Sequence, residues 1–348
     1  MFRTHIVTVT LVTFALIAAR TLPTHGQTVV AYGENRVGSL SCGYDDPTPI
    51  ATYRFTANED DRFVAIVTEC SDSGGVCNAT ACFCFDQCIN VLDPDGMLAM
   101  NNCSPRGGNN ATQRYRTRVQ DILFKAGTYS ITITDGDRTG EGTYTLFIQR
   151  TNQPGRAEPL FSGDVLVITQ ATCGGVDTYT FAGLEGQIAD IVMSPNTGSL
   201  KPRLELYDPL GRSIALPGNG TVHAPLPRDG AYTVLAYSAV DETGTYRISF
   251  TLSTVFVRGD ANDDGALNIG DPIHIFNLLF LENRPFGCRE AANGNNDAGV
   301  DISDGVYLLS FLFLGGPPPA TPAPACGADP DPIGSPGDLG CERYQHCP

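Results

Sequence analysis

Between residues 28 and 253 the chain runs in short stretches that alternate apolar and polar residues at period two. These stretches are rich in Val, Ile, Thr, Tyr and Phe and are bounded by Gly, Pro, Asp or Asn. That is the pattern of half-buried β-strands separated by turns. The stretches also repeat. Thr52-Tyr53-Arg54-Phe55 returns as Thr178-Tyr179-Thr180-Phe181, and INVLDPDG (89–96) returns as LELYDPLG (204–211). GTYSITI (127–133) returns as GAYTVLA (230–236), and GTYTLFI (142–148) as GTYRISF (244–250). Asp-Pro-x-Gly is a turn with a mechanism, because Pro presets one dihedral and Gly accepts positive φ. Order and approximate spacing are kept, so one fold is expected twice. We read an antiparallel β-sandwich over 27–152 and a second over 157–253, joined by a linker from Asn152 to Arg156. The first copy is longer by a cysteine-rich stretch between Cys70 and Cys88.

From residue 254 the period changes to that of helices. Ile273, Ile275, Phe276, Leu279 and Phe280 mark one apolar face; Val306, Leu308, Leu309, Phe311, Leu312 and Phe313 mark another. Pro272 suits the first turn of a helix, and Gly315-Gly316-Pro317 suits an end. Before each helix lies an acidic loop of twelve residues. Calcium takes six to eight oxygens, and such a loop supplies them from fixed positions. In DANDDGALNIGD (260–271), Asp260, Asn262 and Asp264 hold positions 1, 3 and 5, and Gly265 makes the turn at 6. Ala266 offers its carbonyl at 7, Asn268 stands at 9, and Asp271 closes the loop at 12. Ile269, at position 10, is expected to point inward.

The loop recurs 33 residues later as NGNNDAGVDISD (293–304), with Ile302 matching Ile269. Asn293, Asn295 and Asp297 fall at 1, 3 and 5, Gly299 at 7, Asp301 at 9 and Asp304 at 12. Asn at position 1 removes a negative charge, and Ala298 replaces the glycine of the turn. Two calcium sites are therefore expected, the second weaker.

Two resemblances follow from these residues. The Asp-Pro-x-Gly hairpins at Asp93 and Asp208, with the strand starts at Gly127, Gly230, Gly142 and Gly244, resemble the bacterial pre-peptidase C-terminal domain. That resemblance implies a jelly-roll-like, non-catalytic module of secreted proteins, sometimes linked to adhesion. The paired D-x-N-x-D-G and I-x-D loops, each followed by a helix, resemble a dockerin. An ordinary EF-hand carries Glu at position 12, whereas dockerins use Asp there. The dockerin resemblance implies a cohesin-like partner and a link to polysaccharide breakdown. The expected fold is thus mainly β: two tandem jelly-roll-like sandwiches, then a small α-helical dockerin-like domain over 254–348.

Charge and cysteines narrow the setting. Residues 1–26 read as a secretory leader, with Arg3 ahead of an apolar run from Ile6 to Ala19. No later stretch is long and apolar enough for a transmembrane helix. Loss of Arg3 and Arg20 with the leader leaves 20 basic residues against 38 acidic ones, a net −18. Nucleic acid is then an unsuitable partner. All 12 cysteines follow the leader, which in an exported protein reads as disulfides. Seven lie between Cys42 and Cys103, and Cys173 stands apart. Either Cys42 or another of the seven reaches Cys173, or one thiol in each group stays free. Cys77, Cys82, Cys84 and Cys88 lack zinc-finger spacing and a nearby His, so disulfides are favoured over zinc. Cys288, Cys326, Cys341 and Cys347 can tie a proline-rich tail back in three pairings. His223 is read as lying in a sandwich loop, and His274 on the first helix. No catalytic motif is present.

The expectation is a secreted or cell-surface, non-catalytic calcium-binding protein docking to a cohesin-like or other extracellular protein, with carbohydrate or cell surface as further partners of the sandwiches. The alternatives are a secreted hydrolase of glycans or peptides with its site in a sandwich, or a purely structural surface protein.

Overall fold

The computed structural model describes residues 28–40, 50–70, 87–103, 116–135, 142–215, 218–239, 242–281, 285–332 and 335–347. The expected leader and Cys42, Cys77, Cys82 and Cys84 lie outside the described residues. The chain divides into two compact units. The first runs up to Phe181 and includes Ile191–Val222 and Ala231–Ser249; the second comprises Ala182–Asp190, His223–Gly230 and Phe250–Pro348.

The first unit holds one sandwich and most of another. The strands of the first are β1 (Thr28–Val29), β2 (Asn35–Leu40), β3 (Ile50–Ala57), β4 (Asp61–Glu69), β5 (Gln87–Leu92), β6 (Leu98–Cys103), β7 (Arg116–Leu123), β8 (Gly127–Asp135) and β9 (Gly142–Arg150). They form two sheets, ordered β1-β3-β8-β5-β6 and β2-β9-β4-β7. The second sandwich uses β10 (Glu158–Pro159), β11 (Val165–Gln170), β12 (Val176–Gly183), β13 (Gln187–Gly198), β14 (Pro202–Tyr207), β15 (Ser213–Ala215), β16 (Thr221–Pro225), β17 (Gly230–Ser238) and β18 (Gly244–Phe256). Its sheets are ordered β10-β12-β17-β14-β15 and β11-β18-β13-β16. Adding nine to each strand number of the first copy gives the second, so the sequence repeat is a repeat of topology.

The repeated motifs recur as the same local structures. In both Asp-Pro-x-Gly turns one aspartate oxygen caps two backbone N–H groups: Asp93 Oδ1 accepts from Asp95 and Met97, and Asp208 Oδ1 from Leu210 and Arg212, all within 3.0 Å. Gly96 and Gly211 close these turns at φ 80° and 73°, which L side chains rarely adopt. The tyrosines of the T-Y-x-F and G-T-Y motifs are buried, and they join the two layers. Tyr53 and Tyr144 share a hydroxyl hydrogen bond of 2.8 Å, and Tyr179 and Tyr246 one of 2.6 Å. Each hydroxyl thereby finds a partner inside an apolar core.

The two sandwiches are not beads on a loose linker. On β4, Phe63, Ala65 and Val67 face the core of their own sandwich, whereas Val64 and Ile66 join Phe147, Val176, Tyr207, Leu235 and Tyr237 in a separate cluster. That cluster packs one sheet of each sandwich against the other. Both faces of β4 are therefore buried, which explains its uninterrupted apolar run from Phe63 to Val67. Within the contact Glu205 is almost wholly buried. It receives bonds from the Arg118 guanidinium and the Tyr207 hydroxyl, and from the Tyr237 hydroxyl at 2.6 Å. Burial opposes its ionisation, but Arg118 and these hydroxyls prevail and hold its carboxyl below the usual range. The Cys70–Cys173 disulfide spans the same pair of sandwiches. Even the expected linker is fixed: Gly155 N donates to Gln149 Oε1 at 2.8 Å. A Cβ on Gly155 would lie 2.7 Å from the Tyr32 carbonyl oxygen, so only glycine permits this approach.

The second unit carries α1 (Gly270–Phe280), α2 (Arg289–Ala292), α3 (Ile302–Leu314) and β19 (Gly327–Ala328), which pairs with the end of β18. Its small core is Ile275, Ala292 and Leu308, flanked by Ala261, Leu279, Phe286 and Val300. The tail bridges are Cys288–Cys341 and Cys326–Cys347. α3 starts on a capping box formed by Asp301 and Asp304 and ends at Gly315 with φ 72°. Two expectations need correction. His223 sits on β16 rather than in a loop, with Nδ1 2.6 Å from Asp190 Oδ1. Ile269 and Ile302 point outward and are about half exposed. Ile269 is the N-cap residue of α1, at the rim of the helix pair, and the core is already filled by Ile275 and Leu308. Among the described residues no helix is long and apolar enough to cross a membrane.

Two stability predictions follow. Removing the Glu205 carboxylate leaves Arg118 and two hydroxyls without their shared acceptor. Glu205→Ala should therefore lower unfolding free energy by about 3–5 kcal/mol in urea titration; a change under about 1 kcal/mol would contradict the clamp. Asp177, bonded by the Tyr246 hydroxyl at 2.7 Å, is pushed up to about 6 by burial, against that bond. Its folded pKa lies above the unfolded one, so this group's contribution falls as pH rises through roughly 4 to 6. Asp177→Asn should stabilise the protein by roughly 1–3 kcal/mol at pH 8 and much less at pH 4. Melts at both pH values check this, and an equal shift would contradict it.

Candidate metal centre

The twelve residues singled out in the sequence fall in two loops of matching construction. In the first, Asp260 and Asp271 are buried although both are acidic. Backbone N–H groups wrap their carboxylates. Asp264 N donates to Asp260 Oδ1 at 3.1 Å and Gly265 N to Asp260 Oδ2 at 2.9 Å. Asn262 N and Asn268 N donate to the two oxygens of Asp271 at 3.4 and 2.8 Å. Ala266 N donates to Asp264 Oδ1 at 2.9 Å, and the Asn268 amide donates to the Ala266 carbonyl at 3.0 Å.

The second loop repeats the scheme. Asn295 N and Asp301 N donate to the two oxygens of Asp304 at 3.3 and 2.8 Å. Asp297 N donates to Asn293 Oδ1 at 3.0 Å, and Gly299 N to Asp297 Oδ1 at 3.0 Å. Position 4 takes left-handed φ of 56° in both loops, at Asp263 and Asn296, a conformation that Asp and Asn tolerate.

The donor chemistry suits a hard divalent cation: carboxylate, amide and carbonyl oxygens, with no sulfur or imidazole in either ligand set. The electrostatics suit it too. Burial pushes the Asp271 carboxyl up to about 6, and Asp260 and Asp264 raise it further, against the bonds from Asn268 and Asn262. Burial likewise raises Asp304, with Asp297 and Asp301 adding to it. Like charges are gathered where a cation would relieve them.

The loops differ at positions 1 and 6. Asp260 presents two acceptor oxygens, whereas the Asn293 amide turns its NH₂ to the Asp297 carbonyl at 2.8 Å. Gly265 takes φ 80°, but among the described residues the non-glycine left-handed positions are Asp60, Asp263 and Asn296. Ala298 is therefore accommodated without left-handed strain. Both ligand sets contain three carboxylates, since Asp301 offsets Asn293 in number. The Asp301 oxygen, however, is engaged in capping α3 through Ser303 N at 2.6 Å.

Sequence reasoning missed Arg258, whose side chain is fully buried just ahead of the first loop. It donates to Glu290 Oε2 at 2.9 Å, to Asp329 Oδ1 at 3.2 Å and to the Asn293 carbonyl at 3.3 Å, linking the two loops. Glu290, Asp329 and Asp338 bring carboxylate oxygens within 4.8 Å of one another. Arg258 supplies the positive charge there. A lone arginine before an acidic motif gives no sequence signal of this role.

No family model and no curated protein matches the chain. Solved structures do. The pre-peptidase C-terminal domain of a collagenase from Bacillus anthracis is 20% identical with a TM-score of 0.24, over 29% of this chain and 99% of that one. Tandem carbohydrate-binding modules of a family 98 glycoside hydrolase from Streptococcus pneumoniae are 11% identical with a TM-score of 0.24, over 63% and 84%. A tandem pair of such modules from Paenibacillus barcinonensis is 10% identical with a TM-score of 0.19, over 65% and 92%. At these scores the likenesses carry no argument about ligand or activity, and the functional reading rests on the loops themselves.

If the amide at position 1 limits the second loop, restoring the carboxylate should strengthen it. Asn293→Asp is predicted to tighten calcium there roughly tenfold and to leave the first loop unchanged. Calorimetric titration of the full chain checks this, and an unaltered isotherm would contradict it.

Proposed function

We propose that this chain is a secreted, non-catalytic calcium-binding protein that docks to an extracellular, cohesin-like partner through a dockerin-like region at 254–348. The sandwich pair is what it carries. Calcium would be held by Asp260, Asn262, Asp264, Ala266, Asn268 and Asp271 in one loop. Asn293, Asn295, Asp297, Gly299, Asp301 and Asp304 would hold it in the other. The ion supplies charge neutralisation at buried carboxylates, and the chain's own residues set the start of each helix. Four disulfides among the described residues support an oxidising, extracellular setting.

One observation carries the docking reading. The exposed apolar residues of the two helical repeats coincide at the 33-residue offset. Ile269 and Ile302, Ile273 and Val306, Phe280 and Phe313, and Leu281 and Leu314 are all exposed. Phe280 and Phe313 are 64% and 62% exposed, and Leu281 and Leu314 are 79% and 82% exposed. A helix needs to bury only the stripe facing its core, here Ile275 and Leu308. Large apolar residues left outside at matched positions in both repeats make a surface suited to a protein partner.

The test uses the full chain against a panel of immobilised cohesin domains. Calcium-dependent capture is expected, with affinity falling at least a hundredfold in chelator. A similar fall is expected for Phe280→Asp combined with Phe313→Asp, with calcium stoichiometry kept at about two. Failure to bind calcium, or capture indifferent to chelator and to the double substitution, would defeat the reading.

A further inference from the structure

We propose that the cystine-pinned segment 341–347 is a clasp on the first loop, with Tyr344 positioning Asp260, and that it raises calcium affinity at that site alone. The proposal rests on the calcium reading above.

Every contact needed is within the second unit. Cys288–Cys341 and Cys326–Cys347 fix the segment at both ends. Between them the Tyr344 ring is buried with Phe256, Cys288, Ala291 and Cys347. Its hydroxyl donates to Asp260 Oδ2, the side chain at position 1 of the loop. That oxygen also accepts from Gly265 N. Two donors on this oxygen, with Asp264 N on Oδ1, fix the rotamer and leave one acceptor direction of Oδ1 for a cation. Such outer bonds orient metal ligands, and their loss typically costs ten- to a hundredfold in affinity.

The grip extends to the neighbouring residue. Asp263, at the non-ligating position 4, accepts from Gln345 N at 3.0 and 2.9 Å and from His346 N at 3.1 Å. The His346 ring lies over Gly265, where a Cβ would come within 2.9 Å of it. The second loop differs at the same place. Asn296, its position 4, has a buried side-chain oxygen without a hydrogen-bond partner. Position 1 there is the amide of Asn293, paired to Asp297 within its own loop. The clasp thus acts on the first of the two loops.

The experiment is calorimetric calcium titration of the full chain, of Tyr344→Phe, and of Cys326→Ser with Cys347→Ser. Tyr344→Phe keeps the ring and removes only the hydroxyl. Affinity of the tighter site should fall about tenfold in both variants, with the weaker site unchanged in both and the melting of the chelated protein unchanged in Tyr344→Phe; the disulfide variant melts lower because the cross-link is gone. Loss confined to one site is not what general loosening would produce, because that would lower both affinities and the chelated melting temperature. Two ions bound by Tyr344→Phe with a wild-type isotherm would overturn the clasp and leave the calcium reading standing. A wild-type chain that takes up no calcium would overturn both.

Discussion

Carboxylates crowded into a tight turn repel one another, and burial deepens the conflict by removing the water that would screen them. The region from 254 onward is organised around that constraint. Asp260 and Asp271 in one loop and Asp304 in the other are enclosed, each wrapped in backbone N–H groups. The wrapping fixes where the carboxylates stand, and it fixes where the following helices begin. α3 starts on Asp301 and Asp304 themselves. Ion binding, in the proposed reading, is therefore coupled to helix placement, and helix placement decides which apolar residues face outward.

The sandwiches obey a different constraint. Each must seat tyrosine hydroxyls in an apolar interior, and each does so by pairing them across its two layers. Between the sandwiches the same problem returns with charge added. Glu205 is enclosed with Tyr207 and Tyr237 and bonded by the half-buried Arg118, next to a shared apolar cluster. Removing one partner from such a group is costlier than never having built it. The disulfide from Cys70 to Cys173 reinforces the same contact.

Much of this was legible in the sequence because local patterns repeat. Period-two stretches and Asp-Pro-x-Gly turns marked the strands, and their recurrence marked the shared topology. Loop spacing marked the acidic turns. What was hidden depends on tertiary contact. Val64 and Ile66 look like core residues of their own sandwich, yet they bury against its neighbour. His223 is flanked by the turn residues Gly218-Asn219-Gly220 and Pro225, and still belongs to a strand. Ile269 was expected inside, but the small core has no room left for it. Arg258 and Tyr344 act on groups far away in sequence, and no spacing rule connects them to the loops.

Hydrogen exchange of the full chain, with calcium and with chelator, tests the central claim most directly. Calcium should slow amide exchange in 260–271, 293–304, α1 and α3, while β4, β9 and β17 stay as protected as before. Equal protection of the loops and helices in both conditions would contradict the account.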